Sequence, residues 1–373
     1  MLTHLAGPYV VGADAGGTKT RCVVMTLSGI VAGYGTAAGA NRNSGGDTAG
    51  SLETALRAAL GDLEPTLILT GVFGIAGAGA AGRPAAVKAA NAAWRSCGIP
   101  GAPTVVTDIA VAFAAGTDAP AGIVVFAGTG AGAAVINDGS IVRRADGYGP
   151  LVGDEGSAVW IGKEAVRAAL AAFDGRGVPT LLAESVPRAM LGTQFDRAMV
   201  PVGAVPELTS AEADELDGLD GLAGSGDLAG LAGLAGMGGL AGMGGLATKT
   251  RLQTLSGPGR NALTQAIVKE VYGQPPAALG KLGPVVCAAA MSGDEVARRI
   301  TTEAADWLLL DVDAVRCAAD VSAPVVMAGS VLGNGPVADA VRRGLRERFA
   351  TEPATAGDGA EGAAGMALRR MGL

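Results

Sequence analysis

Histidine is almost missing from this chain of 373 residues: only His4 occurs, in a stretch expected to fray. Ser-His-Asp hydrolysis, Cys-His chemistry and His-ligated metals each need an imidazole held in a folded site, so these classes are excluded. The chemistry must instead use carboxylates, backbone amides and a bound cofactor or ion. Cysteine is sparse as well. Cys22, Cys97, Cys287 and Cys317 lie far apart with no CxxC spacing, which suggests neither a disulfide framework nor a zinc site and fits a reducing cytoplasm. Aromatic residues make up 3% of the chain, too few for a platform that stacks bases. With a net charge of -7 and no Lys/Arg cluster, the chain is not expected to bind nucleic acid. The uncharged run from Ala119 to Asn137 is broken by glycines and Thr129, so it reads as a buried strand-turn-strand and not as a membrane span. Met1 to Pro8 has no basic region followed by an apolar stretch, so neither a secretory signal nor a membrane anchor is expected.

Glycine is abundant, at 61 residues, and implies tight turns with Ala/Val/Leu packing between them. The length is comfortable for two domains. Tyr9 to Asp14, Arg21 to Thr26 and Ile30 to Gly35 read as three strands, and Ser51 to Leu60 reads as a helix. A strand over Thr66 to Ile75, a helix over Arg83 to Ser96 and a strand over Thr104 to Thr107 follow. The three-strand pattern then returns at Gly122 to Phe126, Ala133 to Asn137 and Ser140 to Arg144, which suggests a duplicated architecture. Helices are predicted over Ser157 to Phe173, Pro179 to Met190, Arg260 to Tyr272, Asp294 to Leu310 and Val337 to Phe349, with a strand over Pro324 to Met327. Leu216 to Leu246 is a low-complexity tract of Gly, Ala, Leu and Met, read as a mobile insertion.

Two glycine-threonine turns carry the first chemistry. Asp14-Ala15-Gly16-Gly17-Thr18-Lys19-Thr20 ends a strand: its glycines let the backbone approach an anion, Thr18 can donate to phosphate oxygens, and Asp14 can hold Mg²⁺ through water. Ala127-Gly128-Thr129-Gly130 offers the same donors from the second half of the chain. Such a pair is what a cleft needs to grip the β- and γ-phosphates of ATP from both walls. Gly77 to Gly82 matches GxGxxG but lacks the strand-helix context and the following acid of a dinucleotide site, and is taken as a substrate loop. Asp108 follows an apolar strand and either caps the next helix or accepts the proton of a sugar hydroxyl during phosphoryl transfer. Asp146 to Ser157 packs three acids and four glycines into a loop that leads into a helix, with Ser157 as its cap.

These motifs resemble those of the N-acetylglucosamine kinases and related activator ATPases of the sugar kinase, heat-shock chaperone and actin superfamily. The likeness spans nearly the whole chain outside the Gly/Leu tract, and its most specific part is Gly153 to Ser157 followed by Trp160-Ile161-Gly162. It implies an α/β fold of two ribonuclease-H-like (actin-like ATPase) domains around an interdomain ATP cleft. The first would be 1–113 completed by 352–373, and the second 114–351 carrying the insertion 216–246. By the same resemblance Gly16, Gly17, Thr18, Lys19, Gly128, Thr129 and Gly130 hold the phosphates, while Gly329, Ser330 and Gly333 lie at the adenosine. Asn41, Gly77, Asp108, Gly147 and Asp154 are placed on the sugar, with Asp108 as the base. A homodimer is expected.

Two departures from the pattern bear on the acceptor. Relatives commonly carry Ser near Ile75-Ala76-Gly77 and Ser-Asn at Ala131-Gly132, which reduces polar help for an acetamide here. Asp146 stands where relatives have a small residue, and a carboxylate there can bind a cationic 2-amino group. The expectation is therefore ATP-dependent phosphorylation of glucosamine to glucosamine 6-phosphate, with N-acetylglucosamine as the alternative acceptor. The Asp-Gly-Tyr-Gly-Pro wording also resembles a glucosamine kinase branch of antibiotic-producing actinobacteria. An ATPase that activates a partner enzyme is a further alternative, although such proteins use a cysteine cluster for an iron-sulfur centre. A sugar sensor would need an added helix-turn-helix.

Overall fold

A computed structural model describes residues 7–40, 47–198, 257–317 and 321–373. Asn41 and the tract Leu216 to Leu246 lie outside these described residues. The first half runs β1 (Tyr9–Ala15), β2 (Lys19–Thr26), β3 (Val31–Ala38), α1 (Thr48–Leu60), β4 (Ile68–Ile75), α2 (Arg83–Ser96), β5 (Thr104–Thr107) and α3 (Asp108–Ala114). The second begins with β6 (Ala121–Ala127), β7 (Ala131–Asn137) and β8 (Ser140–Asp146). It continues through α4 (Ala158–Phe173), α5 (Leu182–Leu191), α6 (Thr193–Ala198), α7 (Gly257–Gly273), α8 (Gly283–Met291) and α9 (Glu295–Val315). It closes with β9 (Val325–Ala328), α10 (Pro336–Arg348), β10 (Ala354–Thr355) and α11 (Gly359–Arg370).

The sheets have one topology used twice. The first is ordered β3-β2-β1-β4-β5 and the second, read from its other edge, β8-β7-β6-β9-β10. In each, the first three strands form an antiparallel meander and the last two join in parallel. Each sheet thus has the ribonuclease-H-like order, and the duplication suggested by the repeated three-strand pattern is present in the fold.

Central strands are apolar on both faces because both faces are covered. Val11, Ala13 and Ala15 of β1 pack with Leu52 and Leu56 of α1 and Trp94 of α2. Val10, on the other face, meets Val72 and the small residues Ala360, Ala363 and Ala364 of α11. Phe73 and Trp94 meet edge-to-face at 5.7 Å, and the indole N–H donates to Pro100 O at 2.9 Å, so the buried ring has no unmet donor. In the second sheet Val124, Ala134 and Val326 pack with Phe113 of α3.

Three differences from the sequence reading have local causes. Pro65–Leu67 forms a 3₁₀ turn, so β4 starts at Ile68. The longest helix reaches Val315, because the apolar spacing persists past Leu310. Helix α11 was not recognised, since its inner face is Ala and Gly and gives little hydrophobic contrast.

The described chain divides into two compact units. One takes Met1–Lys163, Pro275–Gly283 and Ile300–Leu373 and holds both sheets; the other takes Glu164–Gln274 and Pro284–Arg299, and the elements among its described residues are helices. Within the helical unit Asp294 caps α9 through Ala297 N (2.8 Å) and also accepts from Thr180 Oγ1 (2.9 Å) and Leu181 N (2.7 Å).

Candidate active site

The duplicated topology brings the two glycine-threonine turns together. A Cβ built on Gly17 would stand 3.8 Å from both Cβ and Oγ1 of Thr129, which is van der Waals contact. Gly16 N donates to Lys19 O at 3.0 Å in the first turn, and Gly128 N to Gly130 O at 2.8 Å in the second. Thr18 and Lys19 are exposed at the mouth of the first turn. Around Gly128, a Cβ would meet nothing within 4 Å. The open space beside Gly128, across from the exposed Thr18 and Lys19, fits the phosphates of a nucleotide.

The Gly329–Ser330 segment lies against the second turn. Gly329 has φ +96°, and a Cβ there would fall 2.3 Å from Ala127 O, so only glycine fits. Val331 N donates to the same Ala127 oxygen at 3.0 Å. Ser330 and Gly333 are exposed on this turn.

Acidic groups gather beside the first turn. Asp14 sits near the end of β1, where burial, with Asp108 and Asp358 nearby, pushes its carboxyl up to about 7 against the pull of Arg21. Asp108 opens α3 behind the cap of Thr107, whose Oγ1 accepts from Ala110 N at 3.3 Å. Burial raises the Asp108 carboxyl as well, opposed by the amides of Ile109 and Asp108 and by the charge of Arg144. Asp108 is therefore the first residue of its helix and Thr107 the cap, so the capping reading of Asp108 is replaced. Asp358 caps α11 through Ala360 N at 2.8 Å and lies 3.7 Å from Arg21. Its nearness to Asp14 escaped the sequence reading, although Asp358-Gly359 follows β10 much as Asp108 follows β5.

The loop after β8 is organised by Asp146. Asp146 Oδ1 accepts from Asp154 N at 2.9 Å and from Tyr148 N at 3.3 Å, and Oδ2 accepts from Glu155 N at 3.0 Å. The side chain therefore turns inward to hold its own loop, where the sequence reading had aimed it at a ligand. Asp146 and Asp154 both adopt positive φ, which Asp tolerates better than most residues. Burial raises the Asp154 carboxyl, opposed by the amides of Ala131 and Gly149, and a Cβ on Gly130 would stand 3.1 Å from its Oδ2. The GDEGS loop is thus fixed beside the second turn. Ser157 Oγ accepts from Trp160 N at 3.1 Å, as a helix cap should, and Ala158 N donates to Gly128 O at 2.8 Å. Gly147 O accepts from Arg144 at 2.8 Å, and the same guanidinium lies 5.6 Å from the Tyr148 ring. Arg144 is a neighbour of the site that the sequence reading missed, since alternation marks it only as an outward residue on an edge strand.

Gly77, with φ +80°, sits in the loop between β4 and α2 with no atom within 4 Å of a built Cβ. Asp14 and Asp108 offer carboxylate oxygens, the donor type Mg²⁺ takes together with phosphates and water, while among the described residues no three His, Cys, Asp or Glu side chains form a metal site by themselves. Among the described residues no helix is long and apolar enough to cross a membrane.

The same architecture and motifs occur in known proteins. A structure from Chromobacterium violaceum, provisionally named an N-acetylglucosamine kinase, superposes with TM-score 0.59 at 21% identity, covering 96% of this chain and 98% of that one. One from Porphyromonas gingivalis with the same provisional name gives 0.58 at 16%, covering 97% and 99%. At these identities the likeness establishes the fold, an actin-like α/β architecture. The N-acetylmuramic acid/N-acetylglucosamine kinase of Clostridium acetobutylicum is 33% identical over 176 residues, 47% of this chain; the match spans 57% of that relative's length. The profile of one family runs over residues 11–367, and the chain belongs to that family, the BadF/BadG/BcrA/BcrD ATPases.

Proposed function

We propose that the chain is an ATP-dependent kinase of a small amino sugar. The observation that carries this reading is the approach of Gly17 to Thr129 beside the half-buried carboxylates Asp14 and Asp108, both raised above the usual carboxylate range. Turns on both walls hold the terminal phosphates through backbone N–H groups and the Thr18 and Thr129 hydroxyls. Asp14 would hold Mg²⁺ through water, and the ion would offset charge on the β- and γ-phosphates. Asp108 orients the acceptor hydroxyl and takes its proton as that oxygen bonds to the γ-phosphorus. The bond from the γ-phosphorus to the bridging oxygen breaks and ADP leaves. Asp154 and the Gly147 backbone position the sugar, and Gly329, Ser330 and Gly333 adjoin the adenosine.

For the acceptor, one of the two departures that pointed to glucosamine was the carboxylate at Asp146. A carboxylate has about four acceptor positions, and three backbone amides occupy Asp146. An N-acetylated amino sugar, as named for the Clostridium relative, is therefore the favoured acceptor, with glucosamine second. A coupled ADP-release assay across N-acetylglucosamine, glucosamine, glucose and mannosamine tests the reading. ADP release with none of them, or equal release without any sugar, would remove it in favour of an ATPase that serves a partner enzyme.

A further inference from the structure

The loop Gly77 to Gly82 and the two outer strands β5 and β8 line a cavity of about 480 Å³ that the reaction above leaves unused. Three guanidinium groups line it: Arg83 at the start of α2, Arg144 on β8 and Arg370 at the end of α11. The hydroxyl residues Thr104, Thr107 and Ser140 also line it, and no acidic residue does. Among the described residues neither Arg83 nor Arg370 is held in an ion pair, although the chain as a whole carries a net charge of -7. All three are exposed at the cavity rim, and Arg144 already acts on the carboxylates of Asp108 and Asp154, so the charges of Arg83 and Arg370 are the ones left for an added anion. Arginine forks match carboxylate and phosphate oxygens two at a time. The volume suits a small organic ligand.

The position of the cavity narrows the choice of ligand. Thr107, on its wall, is joined to Asp108, and Arg144 reaches from the cavity to Gly147 at 2.8 Å. A group bound there lies beside the place given above to the acceptor. We propose that this cavity is an anion subsite that takes a carboxylate or phosphate, supplied by an acidic substituent on the acceptor sugar or by a separate small anion. The link to the acceptor rests on the kinase reading; the anion subsite itself does not.

Calorimetric titration of the full chain with N-acetylmuramic acid, glucosamine 1-phosphate, N-acetylglucosamine and inorganic phosphate tests the proposal. The same titrations are repeated on the double variant Arg83→Gln/Arg370→Gln, with ADP release from N-acetylglucosamine measured alongside. The acidic sugars should bind roughly tenfold or more tightly than the neutral one, an advantage lost in the variant and reduced at about 0.5 M salt. Turnover of the neutral sugar should not change. Arginine-dependent binding of inorganic phosphate with no effect on the KM for sugar supports the subsite and assigns it a separate anion. Acidic ligands that bind no better than N-acetylglucosamine, or whose affinity ignores both substitutions, would overturn it. If no sugar releases ADP while acidic ligands still bind through Arg83 and Arg370, the kinase reading falls and the subsite stands.

Discussion

Set side by side, the two sheets share strand order and turn, but not chemistry. In the first, the residue before the last of the opening strand is Asp14; in the second, the matching residue is Phe126. Asp14 faces Arg21 across its hairpin, whereas Phe126 faces Gly132. Beside the first turn the half-buried carboxylates of Asp14 and Asp108 lie close to each other and are pushed up. Beside the second, Asp154 is raised as well, but Asp146 is held by three amides of its own loop. The repeated fold thus supplies two similar turns, and the halves differ in the acidic groups beside them; in the proposed reaction the first side carries the chemistry and the second the framework.

The sharpest way to break this comparison is to neutralise the side proposed to react. Asp108→Asn should lower kcat by about 10²–10⁴-fold with the thermal transition preserved, and turnover near that of the parent would remove Asp108 from the chemistry. On the structural side, Gly329→Val places a branched side chain against Ala127 O in a left-handed backbone. It should cost roughly 1–3 kcal/mol in denaturant unfolding and weaken ATP binding. Asp146→Asn should reduce kcat/KM for glucosamine and N-acetylglucosamine alike, by about tenfold, as the loop loses one of its acceptors. A selective loss for glucosamine would restore the amine-binding role.

The smallest expected effect concerns pH. Asp14 has a folded value near 7 against an ordinary 3.8, so its contribution to stability is fully present below the ordinary value and is lost as pH rises through about 7. The ligand-free protein should therefore melt a few degrees higher at about pH 6 than at about pH 8. Asp14→Asn should flatten that slope, and an unchanged slope would place the titration elsewhere.

Much of this was legible beforehand because the signals are local. Strands alternating with Gly/Thr turns predicted both meanders, and Asp108 after an apolar strand predicted its place at a helix start. What escaped depends on long-range pairing. Asp358 meets Asp14 only because α11 folds back onto β1, and Arg144 reaches Gly147 only through the backbone geometry after β8. The inward bonds of Asp146 escaped for a related reason: a carboxylate in a glycine-rich loop looks free until the amides around it are placed.

The packing of α11 on β1 also governs how the protein can be made. Val10 and Val72 gain their cover from Ala360, Ala363 and Ala364, which leave the ribosome some 350 residues after the strand they shelter. During synthesis the first sheet must wait with that apolar face covered only in part, by Ala110 and Val111 of α3, so slow translation or a break ahead of that helix should favour aggregation over assembly.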